Sequence, residues 1–182
     1  MSAPAELVRD FLNTLDVELG TDELASPAEL ALWLRERGLA DPLDRATDDD
    51  LATALALREG LRAALRREAM GKEAAGEQTT GSSSLPVLPL RLVLDPLPRL
   101  APVENGIPGA LAMIAAAVAD ASWERLKVCA EITCQWAFID VSKNRSRSWC
   151  SMRVCGNRTK TRAYRARKQG SRRLQASNTD TV

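Results

Sequence analysis

Four cysteines are the residues of this 182-residue chain best suited to chemistry. They form two equally spaced pairs, Cys129-x4-Cys134 and Cys150-x4-Cys155, with residues 135 to 149 between them. Each pair can turn two thiolates toward one point, and a spacer of hairpin length can bring the pairs together, as a tetrahedral metal requires. Four sulfur ligands with no competing imidazole favour zinc, with iron left open on ligand type alone. The competing readings are two disulfides or four free buried thiols. Disulfides fit poorly with a chain that reads as cytoplasmic, and unrelated thiols give no reason for equal spacing. Neither pair is the C-x-x-C of dithiol redox enzymes. A catalytic zinc keeps one position open, whereas four cysteines fill the shell. The expected metal is therefore one structural zinc that folds a segment too small for its own core.

Behind the cysteines lies a basic stretch. From Met152 onward no breaker follows Gly156, which predicts a helix to about Gln169. At about 100° per residue, Cys155, Thr159, Ala163 and Ala166 share a small-residue arc that should turn toward the metal, with Trp136 or Trp149 filling space. Arg158, Arg162 and Arg165 lie beside that arc, and Lys160, Tyr164, Arg167 and Lys168 cover the remainder. Arg145, Arg147 and Arg153 extend the patch; Asn157 could contact adenine or cap the metal turn. A helix with this charge and no acidic neighbours repels itself unless an anion lies against it. Arginine outnumbers lysine, which suits bidentate contact with phosphate and guanine. The plainer readings are solvated surface arginines, or a dock for an acidic protein.

The net charge of +1 conceals a split. Residues 1 to 122 hold 11 Lys and Arg against 20 Asp and Glu, whereas residues 123 to 173 hold 14 against 3. An acidic body thus carries a basic appendage, and basic appendages usually meet phosphate. Histidine is absent, which removes histidine triads, bases and metal ligands. With no glycine-rich phosphate loop and no convincing carboxylate pair, the chain reads as a binding protein, not an enzyme. No apolar run approaches the roughly 20 residues that span a bilayer. The first residues lack the basic and apolar regions of a signal peptide, so a cytoplasmic location is expected.

The elements that must position the site follow from periodicity. Composition is 45% hydrophobic, 27% charged and only 4% aromatic, with Ala and Leu prominent, which favours helices. Leu7, Phe11, Leu15 and Leu19 predict an amphipathic helix over about 5–19. Ser26-Pro27-Ala28-Glu29 is a capping box for a second helix that buries Leu30, Trp33 and Leu34 and ends at Gly38. Thr47 before Asp48, Asp49 and Asp50 starts a third, through Leu51, Leu55, Leu61 and Leu65 toward Met70, with Gly71 as its stop. Residues 71–84 read as a Gly/Ser/Thr-rich loop. Leu88 to Leu94 suggests a strand, with Pro89 placing it at an edge or a strand end and no evident partner. A turn over 102–106 precedes a helix over about 108–121. Between the cysteine pairs, Trp136 to Asp140 alternates like a strand, Ser142 to Ser146 is turn-like, and Arg147 to Cys150 can return antiparallel. The expected class is α+β: a mostly helical N-terminal domain with a small β element over 1–122, a zinc-binding β-hairpin-plus-helix module over 123–173, and a flexible tail over 174–182.

Cys129, Cys134 and Trp136, then Asp140-x-Ser142-x-Asn144-Arg145-Ser146-Arg147-x-Trp149-Cys150-Ser151-Met152 and Cys155-Gly156-Asn157-Arg158-x-Lys160, resemble the CGNR zinc finger. The match is dense over about thirty residues. The N-terminal segment, with Phe11-Leu12-Asn13-Thr14 and Trp33-Leu34, resembles the ABATE domain that precedes this finger in bacterial proteins described as "putative stress-induced transcription regulators". The resemblance implies zinc on Cys129, Cys134, Cys150 and Cys155, DNA binding by the finger, and a regulatory or ligand-binding role for the N-terminal domain. Asn13 and Thr14 could line a small ligand pocket, or serve as surface or capping residues. The resulting expectation is a DNA-binding transcription regulator. Its N-terminal domain would sense a small-molecule effector, form a homodimer, or touch RNA polymerase. The alternative is an RNA-binding or ribosome-associated zinc module.

Overall fold

The computed structural model describes residues 3–70, 85–94, 96–120 and 123–177, with side chains placed in all of these except 69–70 and 169–177. The expected loop over 71–84, the stop at Gly71 and the end of the tail, 178–182, lie outside the described residues. The class is α+β: the described residues form five α-helices and three antiparallel two-stranded ribbons.

Helix α1 spans Pro4–Leu12 and buries Val8, Phe11 and Leu12. It stops well short of Leu19, which the apolar spacing had placed on its stripe. Thr14 Oγ1 donates to the Phe11 carbonyl at 2.8 Å, and Asp16 Oδ1 accepts from the N–H groups of Glu18 and Leu19 at 2.9 Å. Short polar side chains that bond their own backbone in this way favour turns over helix. The turn closes at Gly20 (φ +68°) and joins β1 (Leu15–Asp16) to β2 (Thr21–Asp22). Leu19 is left at its tip, 74% exposed.

Helix α2 (Pro27–Glu36) starts as its sequence directs: Ser26 Oγ accepts from the Glu29 N–H at 3.3 Å, and Leu30, Trp33 and Leu34 are buried. Helix α3 (Asp48–Met70) opens on a reciprocal cap, with Asp50 N–H donating to Thr47 Oγ1 and Thr47 N–H donating to Asp50 Oδ2. The strand around residue 90 finds its partner in a proline-bearing segment: β3 (Leu90–Leu94) pairs with β4 (Pro98–Pro102), Leu92 opposite Leu100. Helix α4 (Gly106–Asp120) follows and buries Ile107, Ala110, Leu111, Ile114 and Ala117. Gly109 is required there, because a β-carbon would stand 2.3 Å from the Glu104 carbonyl oxygen.

A 3-10 turn (Trp123–Arg125) leads into β5 (Leu126–Val128), which pairs with β6 (Ala137–Ile139). The hairpin therefore forms with residues before the first cysteine, and not with Arg147 to Cys150 as the spacing suggested. Arg147 to Cys150 runs without strand structure and is tied to the knuckle by the Ala130 N–H to Ser148 carbonyl bond of 2.9 Å. Leu126, Val128 and Ala137 belong to the same core as Phe11, Leu34, Leu65 and Leu111, so the apolar interior runs unbroken across the boundary expected at residue 122. Helix α5 (Asn157–Ser177) ends the described chain. It continues past Gln169 and takes in the first residues of the expected tail.

Candidate metal centre and nucleic-acid interface

The four cysteines converge. Cys129 opens the knuckle that follows β5, and its N–H donates to the Trp136 carbonyl at 2.9 Å. The Glu131 carbonyl accepts from the N–H groups of Cys134 and Gln135, and Gln135 takes φ +53° to turn the chain back into β6. On the far side, Ser151 caps a single π-type turn (Met152–Gly156), accepting from the Val154 N–H and bringing Cys155 under Cys150. All four Sγ atoms lie within 4.8 Å of one another, and the Cys134–Cys150 and Cys150–Cys155 separations are both 3.7 Å. A disulfide needs about 2.05 Å. A tetrahedral zinc at about 2.3 Å from each sulfur sets sulfur–sulfur edges of roughly 3.8 Å, which matches. As bare thiols the cluster is unfavourable to charge: burial first, then Cys134 and Cys155, push Cys150 far up. Burial brings Cys155 up to about 11, the Cys150 bond opposing it and Cys134 and Cys129 adding to it. A divalent cation at the centre reverses that preference, since thiolate is the ligand.

Two acids hold the surroundings. Asp140 is fully buried; its carboxylate accepts from Lys127 Nζ at 2.7 Å, from the Ser142 N–H at 2.9 Å and from the Arg147 N–H at 3.0 Å. Burial alone would raise its pKa, but these donors hold it well below the usual carboxylate range. Lys127 Nζ also donates to the Arg145 and Arg147 carbonyls, so one ammonium and one carboxylate fix the loop between the cysteine pairs. Glu131, also buried, accepts from Arg162 Nη1 at 2.9 Å, from Thr159 Oγ1 at 2.9 Å and from Thr133 Oγ1 at 3.1 Å. Here too burial works against ionisation, and the donors win, bringing the group down to about 2. Glu131 thereby clamps the first turns of α5 onto the knuckle.

The predicted basic residues separate into two groups. Arg145 pairs with Glu124 at 2.7 Å. Arg147 donates to the carbonyls of Trp149 and Cys150 and lies 4.8 Å above the Phe138 ring, so it supports the ligand loop. Arg158 bonds Glu18 of the β1–β2 turn at 2.9 Å, and Arg162 bonds Glu131. By contrast, Arg153, Lys160, Arg165 and Lys168 are exposed, and no described carboxylate pairs with them. Arg167 is exposed as well. Asn157 Nδ2 donates to the Arg153 carbonyl at 3.0 Å, a local cap across the π-type turn. The small-residue face does not turn inward along its length: Cys155 and Gly156 are buried, but Ala163 and Ala166 are exposed. After Arg162, whose guanidinium still reaches Glu131, the helix leaves the body, and residues 163–168 are all exposed.

Asn13 and Thr14 are both occupied. Asn13 pairs its amide with the main chain of Ala137, accepting at 2.7 Å and donating at 3.0 Å, and so fastens α1 to β6. Thr14 is buried, with its hydroxyl on the Phe11 carbonyl and on Arg58 Nη1. Sequence reasoning missed the arginines of α3. Arg62 spans the two halves, donating to the Leu12 carbonyl at 2.5 Å and to the Gln135 carbonyl at 3.0 Å, while Arg66 bonds Gln135 Oε1 at 2.7 Å. Their i, i+4 spacing was visible; the carbonyls awaiting them were not.

Two family matches cover most of the chain. Residues 125–168 match the CGNR zinc finger, and residues 5–122 match ABATE, described as "Putative stress-induced transcription regulator". The chain belongs to the ABATE family. Its finger is of the CGNR type and carries one structural zinc, and the four clustered cysteines are the residues placed to hold it. No curated protein matches the chain at a significant level. Among the described residues, no helix of this ABATE protein is long and apolar enough to cross a membrane.

Proposed function

We propose that the protein is a DNA-binding transcription regulator that grips the duplex with the outer turns of α5 and the loop before it. The observation that carries this reading is that Arg153, Lys160, Arg165 and Lys168 have no carboxylate partner among the described residues, whereas Arg158 and Arg162 at the helix root are paired. The root is anchored to zinc and Glu131, and Lys160, Arg165 and Lys168 on the helix beyond it have no carboxylate partner among the described residues. Phosphate contacts supply register, and a few arginines, with Asn157 beside them, read base edges. The N-terminal domain senses a signal, a small-molecule effector among the candidates, or mediates oligomerisation or contact with RNA polymerase. The protein works by binding and not by catalysis, a reading supported by the saturation of its buried acids, Glu131 and Asp140, with donors.

Selection of bound sequences from a random duplex pool by the zinc-loaded chain tests this. A recurring motif is expected, with affinity falling steeply as salt rises. Binding indifferent to salt, or surviving Cys150→Ala with the N-terminal domain still folded, would overturn it. Structured RNA of matched length that outcompetes the duplex would move the function to RNA.

A further inference from the structure

The β3–β4 ribbon has two edges that differ sharply. The Val103 N–H donates to the Pro89 carbonyl at 3.2 Å, which sets the alternation of the ladder. Arg91 with Ala101, and Val93 with Arg99, then occupy hydrogen-bonded positions, and the main-chain groups of residues 90, 92, 94, 98, 100 and 102 point outward. On β4 those outward positions are Pro98, Leu100 and Pro102, so two of three lack an N–H, and β4 packs beside α4. On β3 they are Leu90, Leu92 and Leu94, all with donor and acceptor, and none has a backbone partner among the described residues. One edge is blunted by proline in the manner of natural sheets; the other is open.

The open edge is also apolar. Leu92 is 64% and Leu94 72% exposed, and Leu97 and Leu100 add exposed leucine on the same ribbon. Its sequence, Leu-Arg-Leu-Val-Leu, reads nearly the same in both directions. Antiparallel pairing of β3 with another β3 across a two-fold axis at Leu92 sets Leu90 opposite Leu94, Leu92 opposite Leu92, and Arg91 opposite Val93. Every outward N–H and C=O of β3 then finds a partner, leucine meets leucine, and no like charges face each other.

We infer that β3 is a homodimer interface, forming a four-stranded antiparallel sheet with a second copy of this chain. The inference deepens the oligomerisation role proposed for the N-terminal domain. A two-fold dimer carries two basic helices and reads a two-fold DNA site.

Sedimentation of the full zinc-loaded chain tests it, together with two variants. The wild type is expected to pass from monomer to dimer as concentration rises. Leu92→Lys, at an exposed site outside the core, should weaken dimerisation at least tenfold and leave the thermal midpoint unchanged at concentrations where both chains are monomeric. Leu92→Cys reads the register: a directly opposed hydrogen-bonded pair has Cα atoms about 5.5 Å apart, within disulfide reach. Mild oxidation should link it into a covalent dimer, whereas Leu94→Cys, whose twin lies roughly 13 Å away along the strand, should remain unlinked. A wild type monomeric at all accessible concentrations would overturn the inference and leave the edge to a different partner. So would a dimer indifferent to Leu92→Lys, or equal linking of both cysteine variants. Dimerisation without DNA binding would overturn the proposed function and leave this interface standing.

Discussion

Helices α3 and α5 run 23 and 21 residues, and each carries a series of arginines in opposite surroundings. On α3, Arg58 and Arg62 are almost wholly buried. Arg58 holds Asp22 through two 2.7 Å bonds, and Arg62 ties the end of α1 to the zinc knuckle. On α5, Arg165, Arg167 and Lys168 face solvent. The α3 arginines recur at i, i+4 on one face and meet carbonyls and a carboxylate that the neighbouring turns leave available. Those of α5 are distributed around the helix, so no single face can take them inward. Counting cations therefore says little about function; what decides is which acceptors the fold sets against them.

Removing the zinc breaks the comparison at its root. Cys150→Ser, or chelation, should unfold the knuckle, release α5 and lower DNA affinity on the order of 100-fold or more, read by mobility shift. Because β5 and β6 belong to the common core, the thermal midpoint of the whole chain should fall as well. An unchanged midpoint would show that the two halves are energetically separate. The next largest effect is expected at Arg62. Arg62→Ala leaves the Leu12 and Gln135 carbonyls without their donor, at a cost of about 3 kcal/mol in urea unfolding. Arg62→Lys should recover little, because one ammonium cannot match a fork that spans both carbonyls.

Much of this was legible in advance, and the failures have physical reasons. The cysteine spacing located the metal centre, and capping residues located the starts of α2 and α3. Periodicity misjudged α1, because Leu15 and Leu19 continue its stripe while Thr14 and Asp16 divert the backbone locally. The partner of β6 was misassigned, because pairing depends on which segment lies nearest in space and Leu126–Val128 sits outside the cysteine spacer. Within the basic segment, Glu131 and Asp140 were a readable sign: an acid retained among cations is often retained because it is buried and bonded. The inward role of Arg62 had no comparable signal.

Asp22 sharpens the contrast through pH. Burial would raise its pKa, but Arg58 and the Leu24 N–H hold it below its ordinary 3.8. The unfolded chain then takes up a proton before the folded one, so the stabilisation is complete well above that value and fades as pH falls through it. Asp22→Asn should cost about 2 kcal/mol near neutrality, and the gap from wild type should close toward pH 3. Since both proteins lose zinc in acid, their difference isolates the carboxylate. Arg165→Ala should leave stability unchanged, reduce DNA affinity a few-fold, and lower the salt slope by about 0.9. A loss of stability there would place Arg165 with the α3 group.

The smallest effect tests the boundary between the groups. Arg158 stands at the root of α5, one-third exposed, and its partner is Glu18 on the turn of the acidic domain. That ion pair competes with phosphate for the same guanidinium. Glu18→Gln removes the competitor without touching zinc, core or helix, so DNA affinity should rise about two- to threefold at low salt. The gain should vanish at high salt, where an exposed pair is already screened. If affinity instead falls, Glu18 serves chiefly to aim α5, and Arg158 belongs with the structural arginines of α3.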